Sequence, residues 1–514
     1  MKFNFLAATI PAWLFLSTPL SALALGGAPF IHDPSTVIQC EGKYYVFGTG
    51  GGGLISDDGW SWHGGAVRPG GGVAPDVIHI GDRFLVSYAG TGVHTMWTKS
   101  LDTNSPDFGY HDDSVVATAD LECNAIDPAF LLDPTGRLWL TYGSYIGYIR
   151  LLELDPKTGK LITPDEKPVN IAVNCEASCM IYHDGWYYLL ATHGSCCQGA
   201  NSGYNIRVGR AKQVTGPFMD NMGVGMLEGG GKLVQDSGGR LIGPGHFGLE
   251  DMGLGVQKFS MHWEADLDRG AASVLDIRPL LWQDGWPVGG ENMKDGNYEI
   301  ESVRTGTALE IAVEGVAVGG TRTRGARTGG PGGGRGGLGG PGAPGATNGV
   351  AALGPRAGGG GFGGGGGGRG MFGGSGGVIP AQDVAVVSTN WPEGNIPLRM
   401  ANYLLEAQQK WTVTAVTNVS GTLGSPCFKI TIAGTDRALT ATADGELTAA
   451  TAFTGAPEQL WLLDQLSDGS WRVMPKSEQN ASDPLALSAI GSSTATLEKF
   501  KPESDRQRWL FKTP

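Results

Sequence analysis

The chain has 514 residues, of which 41% are hydrophobic and 17% charged, and its formal net charge is −13. A chain of this length folds into two or three domains, each with its own hydrophobic core. The acidic balance argues against a nucleic-acid partner, because binding to phosphate groups requires a basic surface.

Residues 1–24 have the pattern of a secretory signal peptide. A lysine precedes an apolar stretch over residues 6–16, and Ala22-Leu23-Ala24 is typical of a cleavage site. A retained membrane anchor is the alternative, but the apolar stretch is short and two prolines interrupt the region. We therefore expect a secreted or periplasmic protein that has no membrane segment after signal cleavage.

Five segments between residues 29 and 289 share one pattern: a polar residue, an apolar run, a turn and an aromatic-rich strand. In the first four the leading residue is an acid, and these acids lie 43, 51 and 49 residues apart: Asp33, Asp76, Asp127 and Glu176. A weaker fifth segment, residues 236–248, carries His246 at the leading place. A period of about 40–50 residues made of short strands is typical of β-propeller blades. The pattern predicts an all-β fold with a five-bladed β-propeller over residues 29–289.

The leading acids are predicted to meet in one pocket. In a propeller the first strand of each blade runs beside the central axis, so equivalent residues of different blades become neighbours. Carboxyl groups brought together in this way can perform acid-base chemistry, although Asp-Pro pairs also brace turns. For Asp33, Asp127 and Glu176 the shared register favours catalysis. For Asp76, a structural role and a substrate-binding role stay open.

The cysteines do not form a metal-binding pattern. There are seven, so at least one thiol has no intramolecular partner. Cys175 and Cys179 flank Glu176, and Cys196 is adjacent to Cys197. A zinc site is disfavoured because no two matching Cys-x-x-Cys pairs are present. We expect buried thiols or one or two disulfides.

Residues 319–379 differ from the rest of the chain in composition. Glycine dominates the segment, which holds six arginines and no acidic residue. Such a segment buries too little apolar surface to offset the entropy lost on ordering, so we expect it to be disordered. Arginine-glycine segments can bind RNA, but in an exported acidic protein we favour a flexible insertion.

A second β-rich domain is predicted over residues 295–514, with the glycine-rich segment inserted in its first repeat. Three Gln-x-Trp triplets occur 50 and 48 residues apart, and their tryptophans are Trp411, Trp461 and Trp509. This arrangement resembles the ricin-type, carbohydrate-binding β-trefoil. The triplets themselves are expected to pack the core, so they do not establish sugar binding. Glu310 and Asp444 are the candidate sugar ligands.

A series of short motifs occurs in a fixed order between residues 29 and 289. The series reads His32-Asp33-Pro34-Ser35, Ala74-Pro75-Asp76-Val77, Asn124-Ala125-Ile126-Asp127-Pro128, Leu140-Thr141-Tyr142-Gly143-Ser144, Cys175-Glu176-Ala177-Ser178, Gly243-Pro244-Gly245-His246 and Asp284-Gly285-Trp286-Pro287. Together these motifs resemble glycoside hydrolase family 43, and within it the arabinanases. The resemblance implies a hydrolase acting on a plant cell-wall polysaccharide, arabinan or arabinoxylan, and most specifically an endo-acting enzyme that cleaves α-1,5-L-arabinan.

The resemblance also implies roles for the acids. Asp33 would be the general base and Glu176 the general acid of an inverting reaction, and Asp127 would orient Glu176 and raise its pKa.

Substrate contacts are implied for Asp33, Asp127 and three further residues, Asn124, Ser144 and Tyr145. His246 would be the main protein ligand of a hydrated calcium or sodium ion at the propeller centre, with water supplying the oxygen ligands that hard cations prefer. No organic cofactor is implied. Trp97, Tyr145, Tyr204 and Trp263 are candidates for stacking on sugar rings or, equally, for packing inside the blades.

Two rival functions stay open. An exo-acting α-L-arabinofuranosidase or β-xylosidase of the same family is one, because the sequence departs from the arabinanase pattern after Glu176, over residues 91–100 and at His193. A non-catalytic carbohydrate-binding protein is the other. The presence of all three acids argues against it.

Overall fold

Residues 24–163, 166–313, 391–442 and 444–514 are described by the computed structural model. The predictions for residues 1–24, apart from Ala24, and for residues 319–379 lie outside this part of the chain. Within it, no helix has the length and apolar character needed to cross a membrane.

Five antiparallel sheets of four strands follow one another along the chain, and each is continuous in sequence. The short strand β1 (Gly26–Gly27) adds to the first sheet, in parallel with its outermost strand. The blades comprise β2 (Ile38–Cys40), β3 (Lys43–Phe47), β4 (Gly52–Ser56) and β5 (Ser61–Val67); β6 (Val73–Ile80), β7 (Arg83–Ala89), β8 (Val93–Thr98) and β9 (His111–Ala117); β10 (Ala129–Leu132), β11 (Leu138–Tyr142), β12 (Tyr148–Leu154) and β13 (Val169–Val173); β14 (Glu176–His183), β15 (Trp186–His193), β16 (Asn205–Ala211) and β17 (Lys232–Gln235); and β18 (Leu241–Asp251), β19 (Gln257–Asp266), β20 (Ala272–Gln283) and β21 (Trp286–Gly289).

The five sheets form a ring. The first strands of successive blades contact one another, from β2 through β6, β10 and β14 to β18. The ring closes where Phe30 forms a β-bridge with Val274 and the Leu275 N–H donates to the Pro29 carbonyl over 2.8 Å. The predicted five-bladed β-propeller is therefore confirmed.

Local sequence explains the tight turns within the blades. Three two-residue hairpin loops, at Glu41-Gly42, Asp184-Gly185 and Asp284-Gly285, have positive φ at both residues. This is the type I′ geometry that matches strand twist, and it favours glycine at the second place. The aromatic strands that follow or precede these loops bury their side chains between blades, where they form the hydrophobic core.

The apolar cores lie in the gaps between neighbouring blades. Four clusters join blades 1 and 2, 2 and 3, 3 and 4, and 4 and 5. The fifth cluster, between blades 5 and 1, combines Trp60 and Trp62 with Leu275 and Ile277, and it also includes Leu423 from the C-terminal half. The second half of the chain therefore contributes a core residue to the propeller.

The C-terminal domain, residues 296–313, 391–442 and 444–514, has twelve strands among its described residues. Six pair in a closed ring, β22 to β25, β26, β29, β30, β33 and back to β22, and the other six form three hairpins. The strands are β22 (Gly296–Ser302), β23 (Ala308–Ile311), β24 (Ile396–Ala401), β25 (Trp411–Val416), β26 (Cys427–Ile432), β27 (Ala438–Ala441), β28 (Leu447–Ala450), β29 (Trp461–Gln465), β30 (Trp471–Pro475), β31 (Leu485–Ile490), β32 (Thr494–Lys499) and β33 (Trp509–Lys512). Single 3₁₀ turns occur in both parts of the molecule. Two lie in the propeller, at Gly199–Asn201 and Met226–Glu228, and four lie in the C-terminal domain, at Ala407–Gln409, Pro457–Gln459, Lys476–Glu478 and Asp505–Gln507.

The Gln-x-Trp triplets have the same structural role in all three repeats. Each tryptophan is fully buried, and its indole N–H donates to the carbonyl of an equivalent leucine: Trp411 to Leu309, Trp461 to Leu439 and Trp509 to Leu487. Each glutamine ends a 3₁₀ turn and binds backbone groups of the loop before it. The expected core-packing role of the triplets thus agrees with the observed contacts.

The two halves of the molecule are joined through blades 1 and 5. The Gly424 N–H donates to the Gly59 carbonyl over 2.8 Å, and a Cβ at Gly59 would lie 2.8 Å from Leu423 Cα, so glycine is required for this approach. Lys258 of β19 and Asp464 of β29, both 1% exposed, form an ion pair at 3.2 Å. The C-terminal domain thus contacts both sides of the point where the propeller closes.

Candidate active site at the centre of the ring

A residue with left-handed backbone conformation lies just before or within the innermost strand of every blade. The five φ values lie between 46° and 56°, at Asp33, Ala74, Asp127, Ala177 and His246. Residues other than glycine rarely adopt this conformation, and it persists only where the surrounding structure fixes it. In blades 2, 4 and 5 the strand pairing is bulged at this point. The three polar residues of this set, Asp33, Asp127 and His246, lie in one region at the centre of the ring, where Asp33 Oδ1 is 3.2 Å from His246 Nδ1 and Asp127 lines the same small cavity as His246.

The repeat position assumed for two of the acids is therefore corrected. Glu176 precedes the left-handed Ala177 by one residue, and Asp76 follows the left-handed Ala74 by two. The Asp76 carboxylate is buried and accepts the backbone N–H groups of Thr36 (3.0 Å) and Phe130 (2.9 Å). Because these donors belong to blades 1 and 3, Asp76 joins three blades, and the structural interpretation of this residue is the one supported.

Asp33 is surrounded by donors and histidines. Its Oδ2 accepts a hydrogen bond from the Thr49 hydroxyl at 2.6 Å and lies 2.9 Å from His32 Nδ1, while its Oδ1 lies 3.2 Å from His246 Nδ1. Burial opposes ionisation, but the charge of His246 and the contact with His32 outweigh it and hold the pKa of Asp33 well below its usual range. Asp33 is therefore an ionised carboxylate.

Glu176 and Asp127 have the opposite electrostatic character. Burial raises the pKa of Glu176 to about 7, with a further contribution from the charge of Asp127, while the phenol of Tyr204 donates a hydrogen bond to Glu176 Oε1. Burial also raises the pKa of Asp127 to about 6, although the charge of His246 opposes this effect. Asp127 Oδ2 accepts the Ala177 N–H at 3.0 Å, which ties it to the strand that carries Glu176. The site thus combines an ionised carboxylate with a carboxyl group whose pKa of about 7 leaves about half of it protonated at pH 7.

The predicted substrate-binding residues lie on the loops of blade 3. Asn124 is half-buried, and its Nδ2 donates to the Oγ of the buried Ser144 at 3.4 Å. Tyr145 is 44% exposed, and the charge of Glu176 is the first cause that raises the pKa of its phenol. Tyr145 is therefore an exposed aromatic side chain close to Glu176.

The other candidate stacking residues are not available to a ligand. Trp97 and Trp263 are buried, and their indole N–H groups donate to the Thr158 carbonyl and to Asp276. Tyr204 is also buried and serves as the donor to Glu176. Of the four aromatic candidates, only Tyr145 presents a surface.

Two residues of the site, His262 and Glu264, were not identified from the sequence. His262 Nδ1 accepts the Asp33 N–H at 2.8 Å, and Glu264 Oε1 lies 3.1 Å from Nε2 of His32. Both belong to β19, where a spacing of two places them on the same face of the strand. The alternation His-Trp-Glu was the available signal, but only closure of the ring brings β19 next to Asp33.

Cysteine pairing is limited to one bond. Cys196 and Cys197 form a disulfide between adjacent residues, and the other five cysteines are buried thiols. Burial raises the pKa of Cys175 to about 12, which makes that thiol unreactive. This outcome agrees with the expectation of buried thiols and few bridges.

The arrangement around His246 is compatible with a bound cation. Its Nδ1 faces the Asp33 carboxylate, as is common for metal-ligating histidines, and its Nε2 makes no hydrogen bond to the described residues. Asp127 and His246 line the same small cavity near the axis. With a neutral His246 ring whose proton is on Nδ1, the donor set fits a hard cation whose remaining ligands are water, and the cation would then supply the positive charge beside Asp33.

Comparison with known proteins gives consistent matches for the first half of the chain. The profile of Glycosyl hydrolases family 43 matches residues 51–287, which include Asp127, Glu176 and His246. Over 317 residues the chain is 32% identical to extracellular endo-alpha-(1->5)-L-arabinanase 1 of Bacillus subtilis (strain 168), covering 55% of this chain and 95% of that protein. It is 31% identical to extracellular exo-alpha-(1->5)-L-arabinofuranosidase ArbA of Cellvibrio japonicus (strain Ueda107), and this match covers 54% of this chain and 91% of that protein. The solved structure of an exo-1,5-alpha-L-arabinanase from a bovine ruminal metagenomic library is 31% identical in sequence and has a TM-score of 0.46. The match covers 51% of this chain and 97% of that one.

Proposed function

Because the chain belongs to glycosyl hydrolase family 43, and is therefore a glycosidase, we propose that it hydrolyses α-1,5-linked L-arabinan with inversion, using Asp33 as base and Glu176 as acid. The observation that carries this proposal is the opposed electrostatics of the two carboxyl groups. The pKa of Asp33 is held well below its usual range, whereas the pKa of Glu176 is raised to about 7. Two titratable groups whose environments separate their pKa values are the mark of an acid-base pair.

The chemistry of each step follows from the protonation states. Protonated Glu176 donates its proton to the glycosidic oxygen as the bond to the leaving sugar breaks. Ionised Asp33 accepts a proton from the water that attacks the opposite face of the sugar ring. Asp127 keeps the proton on Glu176 through its negative charge and positions the strand of Glu176 through the Ala177 N–H.

A calcium or sodium ion remains part of the proposal. His246 would bind it through Nε2, with water as the other ligands, and the bound ion would supply positive charge near the carboxylates. A carbohydrate-binding β-trefoil is likewise proposed for the C-terminal domain, on the basis of its six-stranded ring, its three hairpins and its three equivalent tryptophans. Glu310 is not suited to bind sugar there, since it is 2% exposed and pairs with Arg399 and Gln409. Asp444 is exposed and stays a candidate sugar ligand.

Export is also proposed, because the pattern of residues 1–24 is that of a signal peptide and the two relatives named above are called extracellular. Recovery of the activity from the medium or the periplasm of a bacterial host, and its retention in the cytoplasm when residues 1–24 are removed, would test this.

The function is tested on debranched arabinan with reducing-sugar release as the assay. Wild type should be active, Asp33→Ala and Glu176→Ala should lose at least about a thousandfold, and Asp276→Asn, a buried carboxylate outside the site, should stay active. Proton NMR of the first product should show the β-anomer. Normal turnover by either alanine variant would refute the assignment.

The product pattern separates the endo and exo alternatives, since relatives with both kinds of name match the chain at similar identity, 32% and 31%. Mixed oligosaccharides early in the reaction would indicate endo action, which we expect. Arabinose or one short oligosaccharide alone would indicate exo action.

A further inference from the structure

The site contains a buried carboxylate that the reaction described above does not use. Glu264 is 4% exposed and lies on β19. Its Oε1 is 3.1 Å from His32 Nε2 and 3.6 Å from His262 Nε2, and its Oε2 accepts the Cys197 N–H at 3.1 Å. Burial opposes ionisation, but its hydrogen-bonding partners hold the pKa of Glu264 far below the usual range. Glu264 is therefore a fixed negative charge one side chain away from Asp33.

His32 bridges the two carboxylates. Its Nδ1 is 2.9 Å from Asp33 Oδ2, and its Nε2 is 3.1 Å from Glu264 Oε1. Neither carboxylate can donate, so both ring nitrogens must carry protons for both contacts to be hydrogen bonds, and only the imidazolium satisfies this. Burial opposes that charge, but the two carboxylates raise the pKa of His32 to about 10. His32 is thus a cation held in one orientation.

His262 adds a second link between Glu264 and Asp33. Its Nδ1 accepts the Asp33 N–H, so the proton of the neutral ring is on Nε2, which faces Glu264. Glu264 therefore contacts one histidine that binds the Asp33 side chain and another that binds the Asp33 backbone. Because Asp33 has a left-handed backbone, its conformation depends on such contacts.

We propose that Glu264, acting through His32 and His262, is the positioning residue of the Asp33 base. With the Thr49 hydroxyl and His32 Nδ1 fixed on Oδ2, the Asp33 carboxylate is kept in one orientation. This inference rests on the proposed function for its kinetic readout. The same logic governs the carboxylate that orients a catalytic histidine in hydrolase triads.

The test is the isosteric substitution Glu264→Gln in the full chain. We expect kcat on arabinan to fall about 10- to 100-fold, as for other residues that orient a catalytic group, with KM changed less than about twofold. His32→Asn should cause a similar loss, and the double variant should be little worse than either single variant, because the residues act as one unit.

A matched control separates positioning from general destabilisation. Asp276→Asn removes a buried carboxylate from the neighbouring strand β20, where it accepts the Trp263 indole N–H and contacts Arg278. It should lower the melting temperature while leaving kcat within about twofold of wild type. A kcat of Glu264→Gln near the wild-type value, or an equal loss in the control, would overturn the inference.

A spectroscopic measurement keeps the inference testable apart from the substrate. In nitrogen-15 NMR of histidine-labelled protein near pH 7.5, His32 should show two protonated ring nitrogens in wild type and the neutral pattern in Glu264→Gln. A wild type that is inactive on arabinan but shows this change would refute the proposed substrate and keep the positioning role. An unchanged His32 signal would refute the positioning role.

Discussion

Replacing Asp127 by Asn tests how the site keeps Glu176 protonated. The change removes a negative charge that raises the pKa of Glu176, while the amide oxygen still accepts the Ala177 N–H. Burial is the larger cause of the raised pKa, so the variant should return only part of the way to the usual value. We expect the pKa of Glu176 to fall from about 7 by about one unit.

The size of the effect follows from the protonated fraction. With the proposed acid role, activity is lost as pH rises through the pKa of Glu176. At pH 7 about half of the wild-type Glu176 carries a proton, but about a tenth would do so after a one-unit fall, a roughly fivefold loss from protonation alone. At pH 5 Glu176 is mostly protonated in the wild type and in the variant, so any difference in activity at that pH reports on the orientation of Glu176.

The assay is kcat/KM on debranched arabinan between pH 4 and 9, at constant ionic strength. Asp76→Asn serves as control, because Asp76 is a buried carboxylate at the same ring of strands but binds backbone groups of blades 1 and 3. Its profile should keep the alkaline limb near pH 7. An Asp127→Asn profile with its alkaline limb unmoved would show that burial alone sets the protonation of Glu176.

The remaining predictions concern stability and the ion. Asp464→Asn should lower the free energy of unfolding by about 3–5 kcal/mol, because it leaves the buried Lys258 unpaired. Lys258→Met should lower it less, since Asp464 still pairs with Arg472. Equal losses for the two variants in urea titrations would contradict this account. Asp76→Asn should cost about 1–3 kcal/mol, because an amide cannot accept both backbone N–H groups, with kcat per folded molecule unchanged; a loss of kcat without a loss of stability would assign Asp76 to substrate binding instead. A chelator such as EDTA should reduce the activity and the melting temperature of the wild type, and His246→Gln should abolish that response. If EDTA changes neither quantity in the wild type and elemental analysis finds no metal, the calcium proposal is wrong.

Much of the propeller could be predicted because its signals are local. Alternating aromatic strands and Asp-Gly turns recur with a period close to that of a blade, and both depend only on neighbours in sequence. The gathering of Asp33, Asp127 and Glu176 at the centre of the ring followed from that period, since ring symmetry converts sequence register into proximity.

The rest depends on contacts that no local pattern encodes. The bulges shift the register by one or two residues, so Asp76 and Glu176 looked equivalent to Asp33 although neither occupies its place. Glu264 meets His32 across 232 residues of sequence, at the closure of the ring. The contact of Leu423 with blades 1 and 5 involves two domains whose separate patterns gave no indication of a shared core.

That shared core couples the stability of one half of this chain to the presence of the other. Leu423 completes the apolar cluster at the seam of the ring, and the Lys258–Asp464 pair is buried only because the second half covers it. A catalytic fragment cut near residue 290 would expose tryptophan and isoleucine side chains and leave a buried lysine without its counterion. The match to the Bacillus relative covers 55% of this chain and 95% of that protein. Removal of the C-terminal half should therefore destabilise the propeller. A substitution at the seam in one half should likewise require a compensating substitution in the other.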